Sequence, residues 1–297
     1  MSKAVTLPKD VIPARSVKTR RITFEYPEGE LPRHFINNDI VMSHIVSTLS
    51  AVFPEGEDFF VNSVRNYRDQ ITDPELKKQV AGFIGQEAMH SREHDRFNER
   101  LAELGYPTRV IHRGVGMILR FGRTVLPKKV QLAITAALEH YTSTLAEVLL
   151  ADPAARDLMD VEEVKSLFLW HALEESEHKT VAFDVYEQVS GNHFIRVTTM
   201  NLITLGFVGG GALAVVASML LTDPSARNLR NLRKSIAGLK TSPWLTKKVR
   251  QDIRAYNRKG FHPDDHDNTA LMEEWREKLF AAKQGTLTSR LSSASSA

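Results

Sequence analysis

Two short units constrain this chain more than any other feature. Glu87 and His90 are three residues apart, and Glu175 and His178 repeat the spacing 88 positions later. On a helix, residues three apart share a face, with their Cβ atoms roughly 5–6 Å from each other. A lone carboxylate–imidazole pair is common on solvated helices. Here each unit also follows a segment that carries one inward-capable carboxylate, Glu57 before the first and Glu139 before the second. Glu139 sits in the otherwise apolar stretch LAITAALEHYTSTLAEVLL, where an unpaired carboxylate costs several kcal/mol. The 297-residue chain has no Cys, which excludes disulfides and thiolate metal sites. Any transition ion must be held by imidazole and carboxylate, a set that suits iron, manganese or zinc.

The order Glu, Glu-x-x-His, Glu, Glu-x-x-His over four helices is the ligand pattern of ferritin-like di-metal carboxylate bundles. Two divalent ions a few Å apart need about four negative charges. Glu57, Glu87, Glu139 and Glu175 supply them, and His90 and His178 each cap one ion. The expected fold is therefore all-α, a ferritin-like four-helix bundle with a di-metal site.

Periodicity and caps place the helices. Residues 37–53 and 54–71 read as two successive helices, with Pro54 starting the second. Residues 73–105 form a long helix capped by Asp73 and stopped by Gly105 and Pro107. Residues 106–125 read as a loop, and helices follow over 126–152 and 161–191. The expected organisation is an irregular, partly disordered arm over 1–35 and the bundle over 36–192. An apolar membrane-like segment covers 193–224, and a basic helical region that packs on the bundle covers 225–284. A disordered Ser/Thr-rich tail covers 285–297.

Residues 197–221 are 25 positions without a charge, long enough for a membrane span. Gly209–Gly211 at its middle admits a straight span, a re-entrant hairpin or a surface-lying element. The hairpin or surface element is the expectation, because the FHPDD segment (Phe261–Asp265) is expected to pack back on the bundle; a hairpin keeps the basic region and the bundle both cytoplasmic. Net charge is only +3, yet residues 225–260 hold eleven Lys or Arg against Asp252 alone. Such a block seeks polyanions. Beside an apolar run, and with few aromatics, it points to an anionic membrane surface rather than nucleic acid.

Other residues are weighed against the site. His94 and His171 lie on the ligand face, one turn away in opposite senses; they are the candidate catalytic side chains, either as further ligands or as groups that orient the carboxylates. Glu55 competes with Glu57, but in the first turn after Pro54 an acid simply suits the helix dipole. Glu93 and Glu174 read as supporting or exposed, His140 as structural, and Tyr67 and Tyr141 as core aromatics. His262 and His266 flank a turn and helix cap.

FPEGEDFFVNSVR, FIGQEAMHSREH, EHYT, WHALEESEHKTVAFDVY and GFHPDD together resemble the bacterial family of predicted metal-dependent hydrolases, over roughly residues 30–275. The resemblance implies Glu57, Glu87, His90, Glu139, Glu175 and His178 as ligands of two transition-metal ions, with no departure at these six. There is no Ser-His-Asp or Cys-His arrangement and no nucleotide loop. The ligand set favours iron and oxygen-dependent oxidation (hydroxylation or desaturation) of an apolar, lipid-like substrate, which would need an electron donor. The alternatives are hydrolysis by a metal-bridging hydroxide and a non-catalytic, membrane-associated metal scaffold.

Overall fold

A computed structural model describes residues 16–27, 29–282 and 284–292. The fold is all-α, and no strand occurs among the described residues; one isolated bridge pairs Ile22 with Leu291. Four helical segments carry the candidate ligands: α1 (Ile40–Arg65), α2 (Pro74–Glu103), α4 (Lys128–Ala151) and α6 (Glu162–His178). Between them lie α3 (Thr108–Val125) and the short α5 (Pro153–Asp157), and α7 (Val181–Val189) continues α6 after a break at Lys179 and Thr180. Asp39, Asp73 and Asp152 cap α1, α2 and α5 through their side chains, each accepting a backbone N–H.

α1 differs from the expected pair of helices. It runs unbroken through Pro54. Proline cannot donate to the carbonyl four residues back, so the Ser50 carbonyl loses its helical partner. The Asn98 amide of α2 replaces it at 2.9 Å. Ser91 of the same helix donates to the Pro54 carbonyl at 3.0 Å. The antiparallel neighbour α2 thus repairs the ladder, and the helix persists.

Apolar packing lies on two sides of the polar centre. One cluster gathers Phe24, Phe35, Phe97, Leu101, Leu167 and Trp170; another gathers Phe59, Phe83, Leu132, Val181 and Tyr186. Each such side chain contributes about 1.5–3 kcal/mol when fully buried. Two large clusters can therefore carry a polar layer that costs several kcal/mol per unpaired carboxylate.

The described part of the N-terminal arm is not loose. Ile22, Phe24 and Phe35 are fully buried, and residues 16–25 lie along α2, where a Cβ at Gly82 would strike the Val17 carbonyl. Near the C-terminus, the Ser292 N–H bonds the Arg21 carbonyl at 2.8 Å. Residues 1–15 and 293–297 lie outside the described residues.

The apolar segment is one continuous helix, His193–Thr222, long and apolar enough to cross a membrane by length and composition. It consists of α8 (His193–Thr204), a wider π-helical stretch (Leu205–Gly210) and α9 (Gly211–Thr222). It does not fold back as a hairpin, because the three central glycines keep helical angles. Nor is it core. Met200 packs against Tyr141 and Phe183, and Val215 and Met219 pack against Ile40 and Val41. Its other face is bare: Leu205, Leu213 and Leu221 are 72%, 73% and 82% exposed. Both ends are thus held on the bundle.

Beyond it come α10 (Leu229–Gly238), α11 (Lys247–Ala255) and α12 (Thr269–Phe280). All eleven Lys and Arg of residues 225–260 are exposed. The FHPDD turn packs onto the bundle: Phe261 against His140 and Phe183, His262 on Asp184 at 2.9 Å, and His266 on Glu147 at 2.6 Å. Neither histidine reaches the cluster described next.

Candidate metal centre

The four helices bring Glu57, Glu87, Glu139, Glu175, His90 and His178 together, and all six are buried. His178 Nε2 lies 3.1 Å from Glu87 Oε1, 3.3 Å from Glu139 Oε2 and 3.6 Å from Glu175 Oε1. His90 Nδ1 lies 4.0 Å from both Glu87 Oε2 and Glu175 Oε1. Three overlapping groups could each hold an ion: Glu57–His90–His171, Glu87–His90–Glu175 and Glu87–Glu139–His178.

The donor atoms test whether a metal fits. Buried polar atoms in proteins nearly always find a hydrogen-bond partner. Here both oxygens of Glu57, Glu87 and Glu139, Oε2 of Glu175, Nδ1 of His90 and Nε2 of His178 have none. Nine such atoms on six converging side chains are a cost that a bound cation would offset. The residues fit a metal.

Electrostatics agree. Burial, then the neighbouring Glu175 charge, pushes Glu57 well above the usual carboxylate range. Burial, then the Glu139 charge, does the same to Glu87. Glu139 is pushed up to about 7, chiefly by burial. Burial also works on Glu175, but the adjoining His171 and His178 rings overcome it and hold that carboxyl well below its ordinary value. Burial lowers His90, and the neighbouring His171 adds to the effect. Four carboxylates cannot all ionise in so dry a volume without positive charge among them.

The far nitrogens of both imidazoles are anchored. His90 Nε2 donates to Glu174 at 3.0 Å, and His178 Nδ1 donates to Gln86 Oε1 at 2.9 Å. Gln86 in turn donates to Glu177 at 2.8 Å. Arg20, from the N-terminal arm, binds Glu174 at 2.9 Å and Glu177 at 2.7 and 2.8 Å. One guanidinium therefore braces both imidazoles through their outer partners. Phe83 and Trp170 close over His178 and His90, with ring centroids 5.0 and 4.9 Å away.

The remaining candidates separate. His171 Nε2 faces Glu175 at 3.0 Å and Glu57 at 3.8 Å, and its ring stacks on His90 at 4.1 Å. His94 does not reach the carboxylates; its Nε2 meets His171 Nδ1 at 2.7 Å. Glu55 points the other way, onto Arg120 at 2.9 Å, because α1 is continuous and Glu55 and Glu57 leave it on different faces. It lines a cavity of about 300 Å³ with Pro54, Asp58, Ser91, Asp95 and His112. Glu93 accepts the Phe24 N–H, His140 bonds the Asp252 carbonyl, Tyr141 bonds Thr204, and Tyr67 packs in the second apolar cluster.

Arg20, Gln86, Glu177, Ser50 and Asn98 escape the sequence reading. Gln86 and Glu177 had a signal, since each immediately precedes a candidate ligand in an inward-facing turn. Arg20 had none, because nothing local ties residue 20 to residues 174 and 177.

No curated protein matches the chain, and no solved structure matches it. The model of one family, described as predicted metal-dependent hydrolase, matches residues 18–267 and so takes in all four ligand helices and Arg20. The chain belongs to that family.

Proposed function

We propose that this chain is a metal-dependent hydrolase whose two-ion centre is held by Glu57, Glu87, His90, Glu139, Glu175 and His178. The observation that carries the reading is the convergence of nine unpartnered buried donor atoms on these six side chains. The family's description supplies the reaction class. Bound divalent ions would polarise a carbonyl or phosphoryl oxygen and lower the pKa of water at neutral pH. The chain's own part is positional. Arg20, through Glu174 and through Glu177 with Gln86, holds His90 and His178 in one orientation. Phe53, Phe83 and Trp170 keep bulk water from the imidazoles. The bare apolar face of His193–Thr222 supports an apolar, lipid-like substrate taken at a membrane surface.

A second reading is oxygen-dependent oxidation of such a substrate with iron and an external electron donor. Its support is the burial of all six side chains, which a small gaseous co-substrate tolerates better than a bulky ester does. One experiment separates the readings. Protein loaded with zinc, manganese or iron is assayed without oxygen against lipid esters and amides, and the iron form for oxygen uptake with a reductant. Anaerobic turnover with a redox-inert metal supports hydrolysis. Turnover only with iron, oxygen and reductant overturns it for the second reading. Metal binding without turnover in either arm leaves a metal-binding scaffold and overturns both.

A further inference from the structure

We infer that His171 is a third imidazole ligand, made so by a hydrogen-bond chain that starts at Pro54. The inference rests on the metal reading above and concerns which side chains complete it. Pro54 frees the Ser50 carbonyl, and the Asn98 amide nitrogen takes it at 2.9 Å. That bond fixes which way round the Asn98 amide sits, since a carbonyl accepts only from the NH₂ end. The Asn98 oxygen therefore faces Ser50 Oγ at 2.7 Å, and the hydroxyl donates to it. A hydroxyl has one proton. Its contact with His94 Nδ1 at 2.9 Å must then run the other way, with His94 Nδ1–H donating. Neutral His94 is left with an accepting Nε2, which lies 2.7 Å from His171 Nδ1; His171 Nδ1–H donates to it. His171 Nε2 then faces Glu175 Oε1 at 3.0 Å and Glu57 Oε1 at 3.8 Å. With Glu57 and His90 it forms a buried group whose donor atoms lie close enough together to share one ion. The ion nearest Glu57 thus takes His90 and His171, and the ion nearest Glu139 takes His178 alone, so the centre is asymmetric. Ser50, Asn98 and His94 are positioning residues.

The full chain, freed of metal and titrated with Co(II), tests this. Three hyperfine-shifted exchangeable imidazole N–H proton signals are expected, from His90, His171 and His178, and H171A should lose one of them. H171A should also bind one of its two ions at least tenfold more weakly. S50A should weaken the same ion, by about 10- to 100-fold. H171N, closer in size, guards against a misfolded alanine variant. Two ions with only two such signals, or unchanged affinities in H171A and H171N, overturn the inference while leaving the six-residue centre standing. Failure of the wild-type chain to bind Co(II) sinks both.

A separate observation concerns α3. Its polar side faces inward: Arg120 and Arg123 pair with Glu55 and Asp58, and His112 faces Glu55 and Asp95. Gly116 lies so close to Glu55 that a Cβ would strike its carboxylate. Val110, Met117, Ile118, Phe121 and Val125 are left facing outward, and Ile118 is 70% exposed. A helix that serves only to cover a soluble bundle turns its apolar side the other way. Between Thr108 and Lys129 the chain has six Lys or Arg and no acid; Arg109, Arg120 and Arg123 pair with Glu99, Glu55 and Asp58, which leaves Arg113, Lys128 and Lys129 to border the outward face. An outward apolar face bordered by cations matches the interfacial helices that lie in anionic bilayers. It disfavours a second copy, which would set like charges against each other. We propose that α3 is a membrane-surface helix that sinks this face into an anionic leaflet.

Because the chain has no Cys, F121C takes a single polarity-sensitive fluorophore. Emission should brighten and shift to the blue with vesicles containing phosphatidylglycerol, little with phosphatidylcholine alone, and less at high salt. The same label at E274C on α12 should stay unchanged. No response to either vesicle, or a response to protein concentration without lipid, overturns the proposal. Turnover does not enter this test.

Discussion

Arg20 and Glu177 form a two-point ion pair, Nη1 donating to Oε2 at 2.8 Å and Nη2 to Oε1 at 2.7 Å. The same guanidinium reaches Glu174. Burial works against its charge, but the Glu177 partner prevails and holds it fully protonated. R20A would leave buried Glu174 without its guanidinium and Glu177 with Arg276 alone, at 2.7 Å. Removing one partner of a buried pair costs about 3–5 kcal/mol. Loosening the outer partners of both imidazoles should weaken metal binding by about 10- to 100-fold. R20K keeps the charge but not the fork, so it should recover stability more than affinity. Metal titration beside urea unfolding separates the two effects.

The metal-free chain should be held back by its own site. Glu139 rises from the ordinary carboxyl value of about 4.5 to about 7 on folding, chiefly by burial. A carboxyl raised in this way binds more protons folded than unfolded, so stability is lost as pH rises between those two values. E139Q removes that penalty. Metal-free E139Q should be more stable than the parent at pH 8 by up to about 3 kcal/mol, with little difference near pH 4.5. It should also bind metal far more weakly. Urea midpoints at the two pH values, measured with a chelator present, decide it; equal midpoints at pH 8 would refute the claim.

His262 gives the opposite kind of group the same sign. Burial lowers it, but the bond to Asp184 prevails, and the ring stays protonated to higher pH than a free histidine. A base with a raised folded pKa contributes stability below its unfolded value of about 6.5. That contribution disappears as pH rises through the folded value. The gap in urea midpoint between the parent and H262Q should therefore be wider at pH 5.5 than at pH 9. A gap independent of pH would mean that the ring acts only by packing.

Much of the centre was legible because its chemistry is periodic. Glu87 with His90, and Glu175 with His178, declare a shared helix face by spacing alone. Glu139 stands out against an apolar background. What was missed is either distant in sequence or inverted. Arg20 acts on Glu174 and Glu177 from more than 150 residues away. Asn98 rescues α1 at Pro54, so a residue that signals a helix start became an interior position. The sequence reads residues 106–125 as a loop, whereas α3 is a helix with its apolar side turned outward. Its apolar residues recur at helical spacing, but they face away from the core.

Asn98 and Pro54 should be energetically coupled. N98L removes the amide that satisfies the Ser50 carbonyl, leaving that buried acceptor without a partner and the Ser50 hydroxyl with His94 alone. Such losses cost about 1–3 kcal/mol each. P54A restores a backbone N–H that can reach that same carbonyl along α1. In the N98L background, P54A should recover part of the loss. In the parent it should do little, because the carbonyl is already bonded to Asn98. The four unfolding free energies of this cycle give an interaction term, expected to exceed about 0.5 kcal/mol for groups that share one partner. A term near zero would mean that Asn98 does not act through the carbonyl that Pro54 leaves free.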